Sequence, residues 1–329
     1  MNRFTIRKLT VSGGGHQDSI IEFTDGLNLI IGPSNTGKSL IMDCIDYVFG
    51  FTPKVNRPSK IVDNSNGYTH VELELKTDKG SVSLKREIGT TKVSVISHHP
   101  EIENGTYSSD RNAKKNINDI FLKLIGINDV HKVLSSQKGS TQSLTWRSIL
   151  HLFFMKQNDI DRESSALLSP NAMGSTSSAA AALKSSNFGG ASSARLNMKS
   201  FDIEIDGHSK PTCMGGGYSA VLNALTVYAM TNYIYQKNGY APGFLALDSA
   251  LSQLSEAEHI KTEDSIKYGF MQFLISNALK RQVIVIEHKD KIPFAPKTDE
   301  AKGIRVTEFT MNKHSGRYGF LNDVFNPEI

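Results

Sequence analysis

Between an apolar run at residues 27–31 and an apolar-periodic stretch at 39–49 lies Gly32-Pro33-Ser34-Asn35-Thr36-Gly37-Lys38-Ser39, which fits the pattern GxxxxGKS/T. The run reads as a short buried strand, and Leu40, Ile41, Cys44, Ile45 and Val48 recur at helical spacing. Strand, glycine loop and helix in that order are what a phosphate-binding loop requires. Glycine lets backbone N–H groups close around phosphate oxygens, and the helix amino terminus adds positive potential. In this reading residues 32–39 cradle the phosphates, Lys38 reaches the β and γ groups, and Ser39 ligates magnesium. The alternative is a plain Gly/Ser turn before a helix. Lysine and serine in register, with both flanks correct, favour the phosphate loop.

Composition constrains the rest less. Across 329 residues, 37 Lys and Arg stand against 33 Asp and Glu, and the resulting charge of +4 is too small to mark a nucleic-acid binder by itself. A hydrophobic content of 39% fits a soluble globular chain of one or two domains. Cys44 and Cys213 are the only two cysteines, which excludes a disulfide framework and a cysteine-based zinc cluster and points to a reducing, cytoplasmic compartment. No apolar run approaches the ~18 residues of a membrane span, and the first residues lack a signal-peptide core.

The hydrophobic pattern predicts strands at 4–11, 20–23 and 27–31, then an antiparallel β-layer from strands at 69–75, 81–87 and 92–96. Helices are expected at 117–125 and 146–155, the second running into Lys156, Gln157 and Asn158. Residues 164–200 are dominated by Ser, Ala, Gly and Asn, and read as a connector with a reach of roughly 30–35 Å, too poor in apolar residues to make a core. Its texture is that of an artificial linker in place of a removed insertion. Beyond it, strands are expected at 201–205, 213–219, 243–247, 282–286 and 304–310. Helices carrying Val221, Leu222, Leu225, Tyr228 and Ala229, and spanning 266–279, alternate with them. That alternation predicts an α/β half with a parallel sheet.

Several later residues bear on the phosphate loop. Asp248 ends the apolar run Gly243-Phe244-Leu245-Ala246-Leu247, where a carboxylate can hold the water shell of magnesium as a Walker B aspartate; an ordinary strand-end aspartate is the even alternative. Gly215, Gly216 and Gly217 open a helix and offer further backbone N–H groups for phosphate, or form a flexible turn. His288 follows the strand Val283-Ile284-Val285-Ile286, placed to meet a γ-phosphate or an attacking water, although a lone strand-end histidine is more often structural.

Taken in order, these motifs resemble the ATP-binding-cassette heads of the SMC, RecN and RecF group. GPSNTGKS is similar to Walker A, Gln157 in FFMKQND to the Q-loop glutamine, MGGGYS to a degenerate signature motif, LALD to Walker B, and His288 to the switch histidine. The resemblance implies an α/β P-loop ATPase head with a mixed or parallel sheet core plus an antiparallel β-layer, divided into 1–162, a linker at 163–200 in place of a coiled coil, and 201–329. It implies ATP and Mg2+ as cofactors, with Ser39, Gln157 and Asp248 at the metal. It also implies that two heads sandwich two ATP molecules, the signature of one facing the phosphates of the other, and that the cycle acts on double-stranded DNA or on an effector or nuclease subunit in bacterial DNA repair or antiphage defence.

Two positions depart from the pattern. Gly215 stands where the signature carries serine. Ser249 stands where the catalytic glutamate follows the Walker B aspartate, and serine is no general base near neutral pH without a partner. Glu287 or Glu256 could supply that carboxylate; otherwise hydrolysis is slow, and the head is a nucleotide-gated scaffold. A phosphotransferase would need an Arg-rich lid, and no segment reads as one. Lys54, Arg57, Lys60, Lys85, Arg86, Arg111, Lys114 and Lys115 could form a footprint on duplex phosphates or be solvated surface charge.

Overall fold

Period-two alternation builds the first layer. In the computed structural model, which describes residues 3–53, 67–110, 112–134, 141–160, 194–197, 202–209, 216–237, 239–256 and 262–325, strands β1 (Phe4–Ser12), β2 (Ser19–Glu22), β4 (His70–Thr77), β5 (Gly80–Glu87), β6 (Lys92–Ser97) and β7 (Gly105–Ser108) form an antiparallel sheet in the order β2-β1-β4-β5-β6-β7. Val71, Leu73 and Leu75 of β4 and Val82 and Leu84 of β5 point inward while their neighbours face out. β7 was not foreseen: GTYS is short, its first two residues are exposed, and it is a strand because β6 offers it an edge.

The second layer is the expected parallel sheet. β3 (Leu27–Gly32), β10 (Phe154–Met155), β14 (Phe244–Asp248), β15 (Gln282–His288) and β16 (Ile304–Glu308) run parallel in the order β10-β14-β15-β3-β16. Every residue of β3 and β14 is buried, the near-continuous apolar signature of a sheet covered on both faces. The helix α1 (Lys38–Val48) packs between the layers, touching β1, β4 and β5 of one and β3 and β15 of the other. Gln282 ties them directly: its amide accepts from Ile6 N at 2.9 Å and donates to the carbonyls of Ile6 and Thr24.

Among the described residues the remaining helices are α2 (Ile117–Leu124), α3 (Trp146–Leu150), α4 (Gln157–Ile160), α5 (Gly216–Gln236) and α6 (Ile266–Ser276). Phe4, Phe49, Phe121, Trp146 and Phe244 meet in one aromatic cluster, with ring centroids from 5.0 to 6.5 Å apart, at the junction of both sheets with α1, α2 and α3. Small satellites complete the fold: the hairpin β8 (Lys132–Leu134) with β9 (Thr141–Ser143), and a sheet of β11 (Ala194–Asn197), β12 (Asp202–Ile205) and β13 (His208–Ser209).

Four expectations are corrected. The helix expected over 146–155 stops at Leu150, because Phe154 and Met155 are drawn into register with Ala246 and Leu247 of β14. Gly216 to Ser219 belong to α5 and not to a strand, whereas 210–215 lie outside the described residues. The helix expected over 266–279 ends at Ser276, followed by a 3-10 turn at Ala278–Lys280. Of the connector, Ala194–Asn197 form β11, and its other residues lie outside the described ones. No helix among the described residues is long and apolar enough to cross a membrane.

Candidate functional site

Parallel pairing brings the carboxyl ends of β14, β15 and β3 to one edge of the sheet. His288 is in register with Gly32, Glu287 with Ile31, and Asp248 with Ile286. Ligands of open parallel sheets bind at this edge, and here it opens into a cleft of about 480 Å³. Residues 34–40, Gln157, Ser249, Ser252, His288, residues 318–321 and Val324 line it.

The loop between β3 and α1 is shaped by close packing. A Cβ on Gly32 would lie 2.8 Å from the carbonyl oxygen of Phe309, so only glycine fits. Asn35 and Gly37 have φ of 62° and 79°, the left-handed conformation that turns successive N–H groups toward one concavity. Thr36 Oγ1 donates to Pro33 O at 2.9 Å and closes the turn. Lys38 Nζ donates to the carbonyl oxygens of Gly32, at 2.7 Å, and Pro33, so its ammonium is held over the loop. Burial pulls the Lys38 ammonium below its ordinary value, while Asp248 and Glu287 oppose that pull.

At the end of β14, Asp248 is 2% exposed. Burial pushes its carboxyl up, and hydrogen bonds from Ser249, at 2.9 Å, and Ser39 pull it down. Ser249 has a φ of 63° and donates its N–H to Ile286 O at 2.8 Å, which turns the chain sharply away from the strand. His288 is half-buried; its Nδ1 lies 3.3 Å from Asp290 N and 3.6 Å from Asp290 Oδ2, which turns its Nε2 edge away from Asp290.

Glu287 is placed differently from an exposed base. It is fully buried, its Oε1 accepts from His288 N at 2.9 Å, and its Oε2 accepts from Leu251 N at 2.8 Å. Burial raises its carboxyl to about 7, the two amides oppose the rise, and Asp248 adds to it. It therefore brackets the chain after Asp248 to the end of β15 and does not line the cleft. Glu256 is also engaged elsewhere, accepting from Ile266 N at 2.6 Å. Neither carboxylate stands where Ser249 stands.

Gln157 enters the cleft because Phe154 and Met155 are a strand and the chain turns just after them. Lys156 fixes that turn: Nζ lies 2.8 Å from Asp43 Oδ1 and 2.8 Å from Asp46 Oδ2, both on α1. Arg147 of α3 also pairs with Asp46. This clamp was missed in the sequence, where Asp43 and Asp46 mark only one turn of a helix. Gly216 and Gly217 start α5 and are not among the described residues lining this cleft; Gly215 lies outside the described residues.

Of the basic residues, Arg86 is corrected. It is 1% exposed, donates to the carbonyls of Tyr47, Phe51 and Thr90, and lies 3.8 Å from the Tyr47 ring centroid, so it holds the end of α1 and offers nothing to a phosphate backbone. Lys115 pairs with Glu103 at 3.0 Å, Lys85 and Lys114 are exposed, and Lys54, Arg57, Lys60 and Arg111 lie outside the described residues.

A family model described as an AAA domain matches residues 10–207, more than half of the chain. The chain belongs to that family, and its fold is the α/β P-loop ATPase-head fold of the solved Smc heads. A stretch of 113 residues is 31% identical to a DNA double-strand break repair Rad50 ATPase of Thermoplasma volcanium, and it spans 34% of this chain and 12% of that protein. Among solved structures, an Smc head bound to the C-winged helix domain of ScpA matches with a TM-score of 0.54 and 17% identity, over 95% of this chain and 96% of that one. An Smc head with an extended coiled coil, bound to the C-terminal domain of ScpA and derived from Pyrococcus furiosus, matches at 0.51 and 14%, over 95% of both chains.

Proposed function

We propose that this chain is a Mg-ATP-binding head that engages a second copy of itself when nucleotide is bound, and that this engagement is coupled to double-stranded DNA or to an effector or nuclease subunit. The observation that carries the reading is the convergence, at one sheet edge, of the phosphate loop with Asp248, His288 and Gln157. The donor set fits magnesium: the Ser39 hydroxyl acts on the buried Asp248 carboxyl, lowering it, and Ser39 and the Gln157 amide line the same cleft. Bound there, the ion would neutralise charge on the β and γ phosphates.

The roles of the residues follow from their positions. Lys38, held over the loop by two carbonyls, exchanges those partners for phosphate oxygens. The N–H groups of residues 34–39 converge on the phosphates. His288 presents Nε2–H to the γ-phosphate. Gly216 and Gly217, at the start of α5, serve the phosphates held by the second copy. DNA repair is favoured by the Rad50 relative; antiphage defence is the alternative setting, and a cytoplasmic location goes with either.

Ser249 favours a second reading, a scaffold that engages on ATP but hydrolyses poorly. With Glu287 bracketed by two amides, the described part of the cleft has no carboxylate beside Asp248 to draw a proton from water. The solution mass with and without Mg-ATP, measured with phosphate release, tests both readings. A dimer with turnover supports a hydrolysing head, a dimer without turnover supports the scaffold, and a monomer under saturating Mg-ATP overturns the engagement.

A further inference from the structure

The segment after β16 is fastened across the mouth of the phosphate loop. Phe309 N donates to Ile31 O at 2.8 Å, and the N–H groups of Thr310 and Met311 bond to the carbonyls of Arg317 and Tyr318, folding the segment back on itself. Phe320 N then donates to Thr36 O at 2.8 Å. A Cβ on Gly37 would lie 3.2 Å from the Phe320 Cβ, so the phosphate loop and this strap touch without a gap. The strap is also riveted to the turn after β1 and to the start of β2: Asp323 accepts from Gln17 N at 2.6 Å, and Asn322 N donates to Ser19 Oγ at 2.9 Å. The Arg317 guanidinium donates to the carbonyls of Ile20, Gly319 and Phe320 and pins the strap's own backbone.

This anchoring brings two chemically different sets of side chains into one cleft. Gln157, Ser249 and His288 line it with polar groups, Tyr318, Leu321 and Val324 add a ring and aliphatic carbon, and the phosphate loop lines the same cleft. Tyr318 packs edge-on against Phe325 at 4.9 Å, and Val324 and Phe325 remain 37% and 46% exposed, an apolar group of side chains beside a phosphate site. A nucleoside triphosphate has the matching asymmetry: a chain of oxyanions at one end and a planar heteroaromatic base at the other. We infer that the strap is the base-recognition wall of the cleft, with Tyr318 and Val324 covering the base and ribose of the nucleotide whose phosphates lie on residues 34–39. The inference rests on the nucleotide-site reading above and extends it to residues that no motif marks.

The test compares Mg-ATP with magnesium tripolyphosphate, which has the phosphates and no base, by calorimetric titration of the full chain. Tyr318→Ala should weaken ATP binding roughly tenfold, the scale of one lost base stack, and leave tripolyphosphate unchanged. Tyr318→Phe should keep the affinity for ATP. Val324→Ser, at an exposed position, should weaken ATP alone and by less. Unchanged ATP affinity in both Tyr318→Ala and Val324→Ser overturns the inference, as does equal weakening of both ligands, which would mean that the strap only shapes the phosphate loop. If Lys38→Ala leaves both ligands bound as in the wild type, the nucleotide-site reading fails, and the strap inference falls with it.

Discussion

Replacing Glu287 by glutamine separates its two effects, bracketing and buried charge. The folded carboxyl titrates at about 7 against an ordinary value of 4.5. Between those values the folded protein keeps a proton that the unfolded chain has released, so stability falls as pH rises through the window. The contribution of the protonated group is complete below 4.5 and gone above about 7. At about 1.4 kcal/mol for each pH unit, the window is worth about 3 kcal/mol. Glutamine has no such titration, but it keeps one acceptor oxygen for two amides, Leu251 N and His288 N, and turns an NH2 toward the other. An unpaired buried N–H costs about 1–3 kcal/mol. Urea unfolding of both proteins should therefore find the wild type ahead by about 1–3 kcal/mol at pH 5. At pH 8 the gap should close or reverse, since the wild type alone has lost about 3 kcal/mol. A difference between the two proteins that is the same at both pH values refutes the assignment of Glu287 as a buried, proton-holding bracket.

Two further substitutions probe the loop and the missing base. Gly37→Ala places a Cβ at a φ of 79° and 3.2 Å from the Phe320 Cβ; thermal unfolding should show a loss of about 1–2 kcal/mol with weaker ATP binding, and an unchanged midpoint would contradict the loop geometry. Ser249→Glu puts a carboxylate on the cleft wall beside Asp248, and phosphate release should rise at least about tenfold if a general base is what the site lacks; an unchanged rate would place the limitation elsewhere.

Much of this architecture was legible locally. An apolar run followed by a glycine loop and an amphipathic stretch defines β3, the phosphate loop and α1, because burial on both faces and φ above zero leave few other residue choices. Arg86 was legible in principle: it follows Val82 and Leu84 at period two, on the inward face of β5, and its charge masked that register. Phe154 and Met155 were not legible, since WRSILHLFFM suits a helix and only the partner strand, almost a hundred residues on, makes them β. The Lys156 clamp and the strap share that character. Their partners come from distant parts of the chain, and no local period announces them.

Nucleotide binding through the loop is the central claim, and titration of Mg-ATP into the wild type and Lys38→Ala tests it most directly. The Lys38 ammonium, poised over the loop on the carbonyls of Gly32 and Pro33, is the cation assigned to the β and γ phosphates. Saturable binding by the wild type, abolished in a Lys38→Ala protein of unchanged secondary structure, is the predicted result. Equal affinity in the two proteins, or no binding by the wild type, would contradict the account.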